Sequence, residues 1–204
     1  MNHRNIEDKR HLRSLKTRIK LLEAAREVFL QEGFQKATIS QMINKASIGY
    51  GTAYVHFGGK EDLLIVLMEG VMEQFFEIAE ISFLPKSKQE AEEIIRKQAN
   101  DFLKMAEAER DMMQVFEQAI GVSSLVSDKW KAIREKFIQR ISTDVAYAQQ
   151  NGLARSEVNH EIVARGWFFT NEMYLWEIVR DEHHSSVEEI ARTIASVYVT
   201  GLYL

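Results

Sequence analysis

Apolar residues recur along this chain at intervals of three and four, and in no stretch do they alternate with polar ones. A half-buried strand turns successive side chains to opposite faces, so this pattern leaves amphipathic helices as the regular element. The spacing predicts helices over 14–34, 60–80, 88–109, 111–120, 128–150, 159–181 and 186–203, with two much shorter ones near the N-terminal end. In the first, Leu15, Ile19, Leu22, Ala25, Phe29 and Leu30 form the expected inner stripe, and Gly33 stands where a left-handed residue would end the helix. Pro85, the only proline, closes the segment after the 60–80 helix. The expected fold class is all-α.

The two short helices are the anomaly. They lie in "ATISQMINKASIGYGTAYVHFGGKEDLL", residues 37–64. Thr38 followed three residues on by Gln41 is a capping box, so a helix starts at Ile39 and turns Ile39, Met42, Ile43 and Ala46 inward. "KASIGYG" reads as a turn, a helix follows over Tyr50–His56, and "GGKED" interrupts again. Two short helices on a tight turn, braced by a longer first one, make a helix-turn-helix over 38–57, whose second helix is shaped for the major groove of DNA. Tyr50, Thr52, Tyr54 and His56 can hydrogen-bond or stack there, Gly51 leaves room for close approach of the backbone, and Phe57 anchors the helix to the core. Lys60 opens the next helix, where its charge and the helix amides would favour a phosphate.

Charge supports that reading in its distribution rather than its sum. The net charge is −4, but residues 1–60 carry 11 Lys/Arg against 5 Asp/Glu, and the rest carry 15 against 25. A basic head on an acidic body suits a phosphate backbone, although an uneven solvated surface gives the same split. With no cysteine, thiolate metal sites, disulfides and cysteine nucleophiles are excluded. The longest apolar runs are too short to span a bilayer and the charged N-terminus is no secretory signal, so a cytoplasmic protein without a membrane partner is expected. His183-His184 reads as a loop and His160, between Glu157 and Glu161, as a solvated helix start, so neither metal nor other cofactor is expected. No nucleophile triad or glycine-rich phosphate loop supports an enzyme. A helical interaction protein is the remaining alternative, and it explains neither "GTAYVHF" nor the charge split.

Residues 17–64 resemble the N-terminal domain of the TetR family of bacterial transcription regulators, through "AAREVFLQEGF", "TISQMINKA", "GTAYVHF" and "KEDLL" in order and with spacing kept. The resemblance implies a helix-turn-helix DNA-binding domain, set at 14–76, and a C-terminal helical bundle for ligand binding and dimerisation, 77–204. It further implies a homodimer on a palindromic double-stranded operator, usually a repressor, released by a small-molecule effector. By position, Thr52 matches the residue that reaches a base edge or phosphate, Tyr54 and His56 match backbone contacts, and Lys60 matches the phosphate-binding lysine. Thr38 matches the cap that often also meets the backbone, and Tyr50 the variable position that helps set sequence choice. Ser47 departs from the usual turn glycine, which suggests a slightly re-formed turn; Gly49 and Gly59 replace the usual polar caps. The basic arm (Arg4, Lys9, Arg10, Arg13, Lys16, Arg18) is either a further DNA contact or a solvated tail.

In the body, the 159–181 and 186–203 helices are apolar over wide faces, more than a body of this size can cover, so they are the expected homodimer interface. Ligand sites in helical bundles are apolar with few polar groups. Phe75, Phe76, Phe102, Met105, Met113, Phe116, Trp130, Phe137, Trp167 and Tyr174 are candidate walls, although for each a plain core role is the stronger reading, and their methionine and aromatic content favours a bulky hydrophobic effector.

Overall fold

The fold is that of a computed structural model, which describes the backbone of residues 3–204 and the side chains of residues 11–204. The described residues form nine helices: α1 (His3–Lys36), α2 (Ile39–Ala46), α3 (Tyr50–His56), α4 (Lys60–Ala79), α5 (Lys88–Ala108), α6 (Arg110–Val122), α7 (Ser124–Gln150), α8 (His160–Val179) and α9 (Val187–Leu202). The only extended pairing among them is an isolated bridge between Ala154 and Tyr203. No helix among the described residues is long and apolar enough to cross a membrane.

The chain divides into two compact units that do not follow a single cut. One comprises the chain up to Gly70 together with Val115–Lys129; the other comprises Val71–Gln114 and Trp130–Leu204. Sequence spacing could not assign Val115–Lys129 to the first unit, because its membership rests on contacts such as Gln118, whose Oε1 accepts from the Phe34 amide at 3.3 Å.

In the first unit, the buried stripe of α1 is Leu21, Ala24, Ala25, Val28 and Phe29, which shares Ala25 and Phe29 with the expected one. Leu15, Ile19 and Leu30 face solvent. Gly33 adopts φ +70° and ψ 171°, so the regular helix breaks there as expected, and a short further turn carries α1 on to Lys36. The positive φ requires glycine at this position, and an added side chain would also displace the Gln118 amide, whose Oε1 would lie 2.9 Å away. Phe34 folds back with its ring 6.2 Å from that of Phe29.

In the second unit, Phe83, Ala91, Ile95, Val145, Ala195 and Val199 gather around the C-terminal end of the chain. Lys88 Nζ donates to the Tyr203 carbonyl at 2.8 Å, and the Leu204 amide to the Leu153 carbonyl at 3.0 Å, which fixes that end. A second cluster is aromatic: Phe75 meets Phe102 edge-on at 5.2 Å, and Phe137 meets Phe76, Phe102 and Phe168 within 6.1 Å. On α8, Ile162, Phe169 and Met173 are exposed in the single chain.

Candidate nucleic-acid interface and body cavity

The helix-turn-helix is built by local chemistry. Both halves of the expected capping box form: the Thr38 amide donates to Gln41 Oε1 at 2.8 Å, and the Gln41 amide donates to Thr38 Oγ1 at 3.3 Å. Helix α2 buries Met42, Ile43 and Ala46. The turn is not re-formed around Ser47. The serine itself takes the left-handed conformation, φ 50° and ψ 49°, and its amide closes the helix onto the Asn44 and Ile43 carbonyls. A non-glycine residue there costs roughly 1–2 kcal/mol.

Helix α3 buries only Ala53, and Phe57 behind it is buried as expected. Everything else on α3 faces outward or is half-buried. Tyr50 is 49% exposed, Tyr54 51% and Val55 81%. Gly51 and Thr52 are exposed and His56 is half-buried. A side chain added at Gly51 would meet nothing within 4 Å, so the fold of this chain gives no reason for glycine there. Val55 was missed from the sequence, although it lies three and four residues after Thr52 and Gly51 and so shares their face. The available signal was an apolar residue on the outer face of a helix with a polar run.

Two basic side chains are turned inward. Lys60, expected on a phosphate, donates its ammonium hydrogens to the carbonyls of Phe34 at 2.8 Å, Ala37 at 3.1 Å and Gln35 at 3.4 Å. It also sits 4.5 Å from the Phe34 ring centroid. The end of α1 presents carbonyls without helical partners, and a cation at the start of α4 satisfies them. Arg18, expected in the basic arm, lies over the Phe57 ring at 5.0 Å. Arg13 and Lys16 are exposed. The expectation for Arg4, Lys9 and Arg10 falls outside the residues whose side chains are described.

The body holds a cavity of about 480 Å³ counting its open mouth. Three of the ten expected walls line it, Phe102, Phe137 and Trp167. Tyr174 lines instead an open apolar groove between α8 and α9, together with Trp167, Ile194, Val197 and Tyr198. Phe75, Phe76, Met113, Phe116 and Trp130 are buried core. Met105 is half-buried away from the cavity lining. The sequence missed the polar lining groups Gln98, Asp144 and Asn171. Asp144 stands seven residues after Phe137 and three after Ile141, on the same stripe of α7, which was its only signal. Burial pushes its carboxyl up to about 6, against the opposing pull of the Arg140 guanidinium hydrogen-bonded to it.

Two further polar arrangements were not legible. Glu172 is 4% exposed and accepts from Trp130 Nε1 and Arg134 Nε, both at 2.7 Å. His160 starts α8 as expected, but it is half-buried, with its Nδ1 2.7 Å from the hydroxyl of Ser142. No group of three or more His, Asp or Glu among the described residues is arranged to hold a metal.

Comparison with known proteins agrees with this geometry. A family model described as bacterial regulatory proteins, tetR family, matches residues 21–67. The regulator UidR of Escherichia coli is 42% identical over 48 residues, 24% of each chain. A fatty acid metabolism regulator protein of Bacillus subtilis is 20% identical over 186 residues, covering 91% of this chain and 95% of its own. Among solved structures, SmeT, repressor of a multidrug efflux pump of Stenotrophomonas maltophilia, superposes with TM-score 0.72 at 16% identity over 92% of this chain and 90% of its own. A SmeT–triclosan complex gives TM-score 0.76 at 17% identity, covering 93% and 92%.

Proposed function

The chain belongs to the tetR family of bacterial regulatory proteins and is a DNA-binding transcriptional regulator, and from that premise we propose that it is a cytoplasmic repressor that binds a palindromic operator as a homodimer. The observation that carries the DNA contact is α3, a helix that buries one residue and holds two tyrosines and a valine in water. Exposing that much aromatic and apolar surface is unfavourable unless a partner covers it. Tyr50 and Thr52 meet base edges, Val55 offers an apolar contact to a thymine methyl, and Gly51 lets the backbone approach. Tyr54, His56 and the Thr38 hydroxyl meet the sugar-phosphate backbone. Lys60 has no part in this set, since its donors are committed to α1.

The dimer forms through α8 and α9. What supports this is the apolar groove between them, with Ile162 72% and Val197 71% exposed in the single chain. Two-fold symmetry then sets two copies of α3 about 34–36 Å apart, one turn of duplex. The effector enters the body cavity and favours a dimer that no longer fits successive grooves. Reversing a 99:1 preference requires about 5.5 kcal/mol of differential binding. SmeT was solved in complex with triclosan, which agrees with a small-molecule effector here.

The test is a gel shift with the intergenic DNA beside the protein's own gene, against a scrambled duplex of equal length. The proposal expects a specific complex that Tyr54→Phe weakens without unfolding the protein. Equal binding to both duplexes removes it.

A further inference from the structure

The cavity of the body has a one-sided polar lining. Its walls are aromatic and aliphatic: Phe102, Phe137, Trp167 and Phe168 supply four rings, with Ile78 and Ile141 between them. Its polar groups are one carboxylate and two amides, with no lysine, arginine or histidine among the lining side chains. Each amide nitrogen is held by a backbone carbonyl. Asn171 Nδ2 donates to the Trp167 carbonyl at 2.9 Å, and Gln98 Nε2 to the Ile78 carbonyl at 3.5 Å. Asp144 accepts from Arg140 through Oδ1. The cavity therefore offers a ligand an anionic oxygen acceptor on walls without a cation, and rings whose faces attract cations.

The charge of Asp144 is not fully answered by the protein. Burial outweighs the attraction of Arg140 in setting its carboxyl. Its negative charge also reaches the phenols of Tyr198 and Tyr203, both raised first by burial and further by Asp144. A cation delivered by a ligand would be welcome at this position, whereas a second carboxylate would not.

We propose that the cavity selects a protonated amine carried on an apolar, ring-bearing framework, with Asp144 as its counter-charge and the four rings as its walls. The proposal rests on the reading of this cavity as the effector site, and it adds the chemical class of the effector. The lining is apolar apart from its three polar groups, and the site is open at its mouth, which suits a ring-bearing framework entering from solvent. An acid of the same shape is the counter-case, because it would bring a second negative charge beside Asp144.

The test uses the full chain and three isosteric probes: 1-naphthylmethylamine, 1-naphthalenemethanol and 1-naphthoic acid. Binding is read by titration calorimetry and by the fluorescence of the tryptophans, one of which lines the site. The expected result at pH 7.5 is an amine bound at least tenfold more tightly than the alcohol, with the acid weakest. Asp144→Asn brings the amine to the affinity of the alcohol and leaves the alcohol within twofold. A second readout needs no variant. At pH 4.5 the wild-type preference for the amine shrinks, because Asp144 is protonated while the amine stays charged. The groups facing Asp144 are Arg140, Tyr198 and Tyr203, none of them a carboxylic acid or histidine. An alcohol or acid bound as tightly as the amine overturns the proposal, and so does no saturable binding by any of the three. A preference unchanged by Asp144→Asn or by pH does the same. Operator affinity is measured separately with each probe. Selective amine binding that leaves operator affinity unchanged keeps the proposed chemistry and defeats the effector reading instead.

Discussion

Lys60→Met separates a clamp from a phosphate-binding role. The ammonium donates to three carbonyls at the end of α1, at 2.8, 3.1 and 3.4 Å, and lies against the Phe34 ring. A cation at a helix C-terminus contributes ~0.3–1 kcal/mol, up to ~2 when partly buried. Hydrogen bonds from a charged donor are worth ~1.5–3 kcal/mol, less where water can replace them. Lys60 is half-buried, so the loss amounts to about 2 kcal/mol of local stability at the α1–α2 junction. Amide exchange there should accelerate roughly 30-fold, the equivalent of that energy. Operator binding is then measured by fluorescence anisotropy from 50 to 200 mM salt. If each subunit of a dimer held a phosphate through this lysine, the substitution would lower the salt slope by ~1.8, at ~0.9 per lysine. The clamp predicts an unchanged slope with faster exchange. A slope lower by ~1.8 with unaltered exchange would refute the geometry on which this reasoning stands.

Gly51→Ala should stabilise α3 by about 0.5–1 kcal/mol, because an added methyl meets nothing within 4 Å, yet weaken operator binding several-fold; thermal melts and anisotropy read the opposite signs. Ser47→Gly should stabilise the first unit by ~1 kcal/mol in urea titrations, by relieving a left-handed serine. Glu172→Ala leaves the buried Trp130 indole N–H and the half-buried Arg134 guanidinium without their acceptor and should cost about 1–3 kcal/mol, a Tm drop of roughly 2–12 °C, with Glu172→Gln milder. Asp144 has a folded-state carboxyl raised to about 6 from 3.8. Its contribution is therefore full below pH 4 and lost as pH rises through 6, about 2–3 kcal/mol in all. The stability difference between wild type and Asp144→Asn, measured at pH 4.5 and 7.5, should shift by most of that amount, with wild type relatively weaker at the higher pH.

What was legible in the sequence was local. Thr38 and Gln41 announce their capping box within four residues, and the apolar spacing places every helix within a few residues of its observed ends, apart from the N-terminal start of α1. The outward face of α3 was legible for the same reason, since one buried alanine in seven residues leaves the remainder for the outside. What was not legible depends on partners far along the chain. Lys60 meets carbonyls 23 to 26 residues before it, Gln118 meets the amide of Phe34 84 residues away, and Glu172 meets Trp130 across 42. Spacing within one helix carries no information about those meetings. The inner stripe of α1 was misjudged because Leu15, Ile19 and Leu30 fit a helical period although they face solvent. Asp144 was passed over because a stripe read only for apolar residues skips the acid embedded in it.

The central claim is that the outer face of α3 reads DNA sequence. Selection of bound duplexes from a random pool tests it most directly, run in parallel with the wild-type chain and with Tyr50→Ala. The claim predicts that wild type enriches a palindrome and that the variant enriches one altered at the same position of both half-sites. An enriched sequence indifferent to Tyr50, Thr52 and Val55 in turn, or no enriched sequence at all, would contradict it.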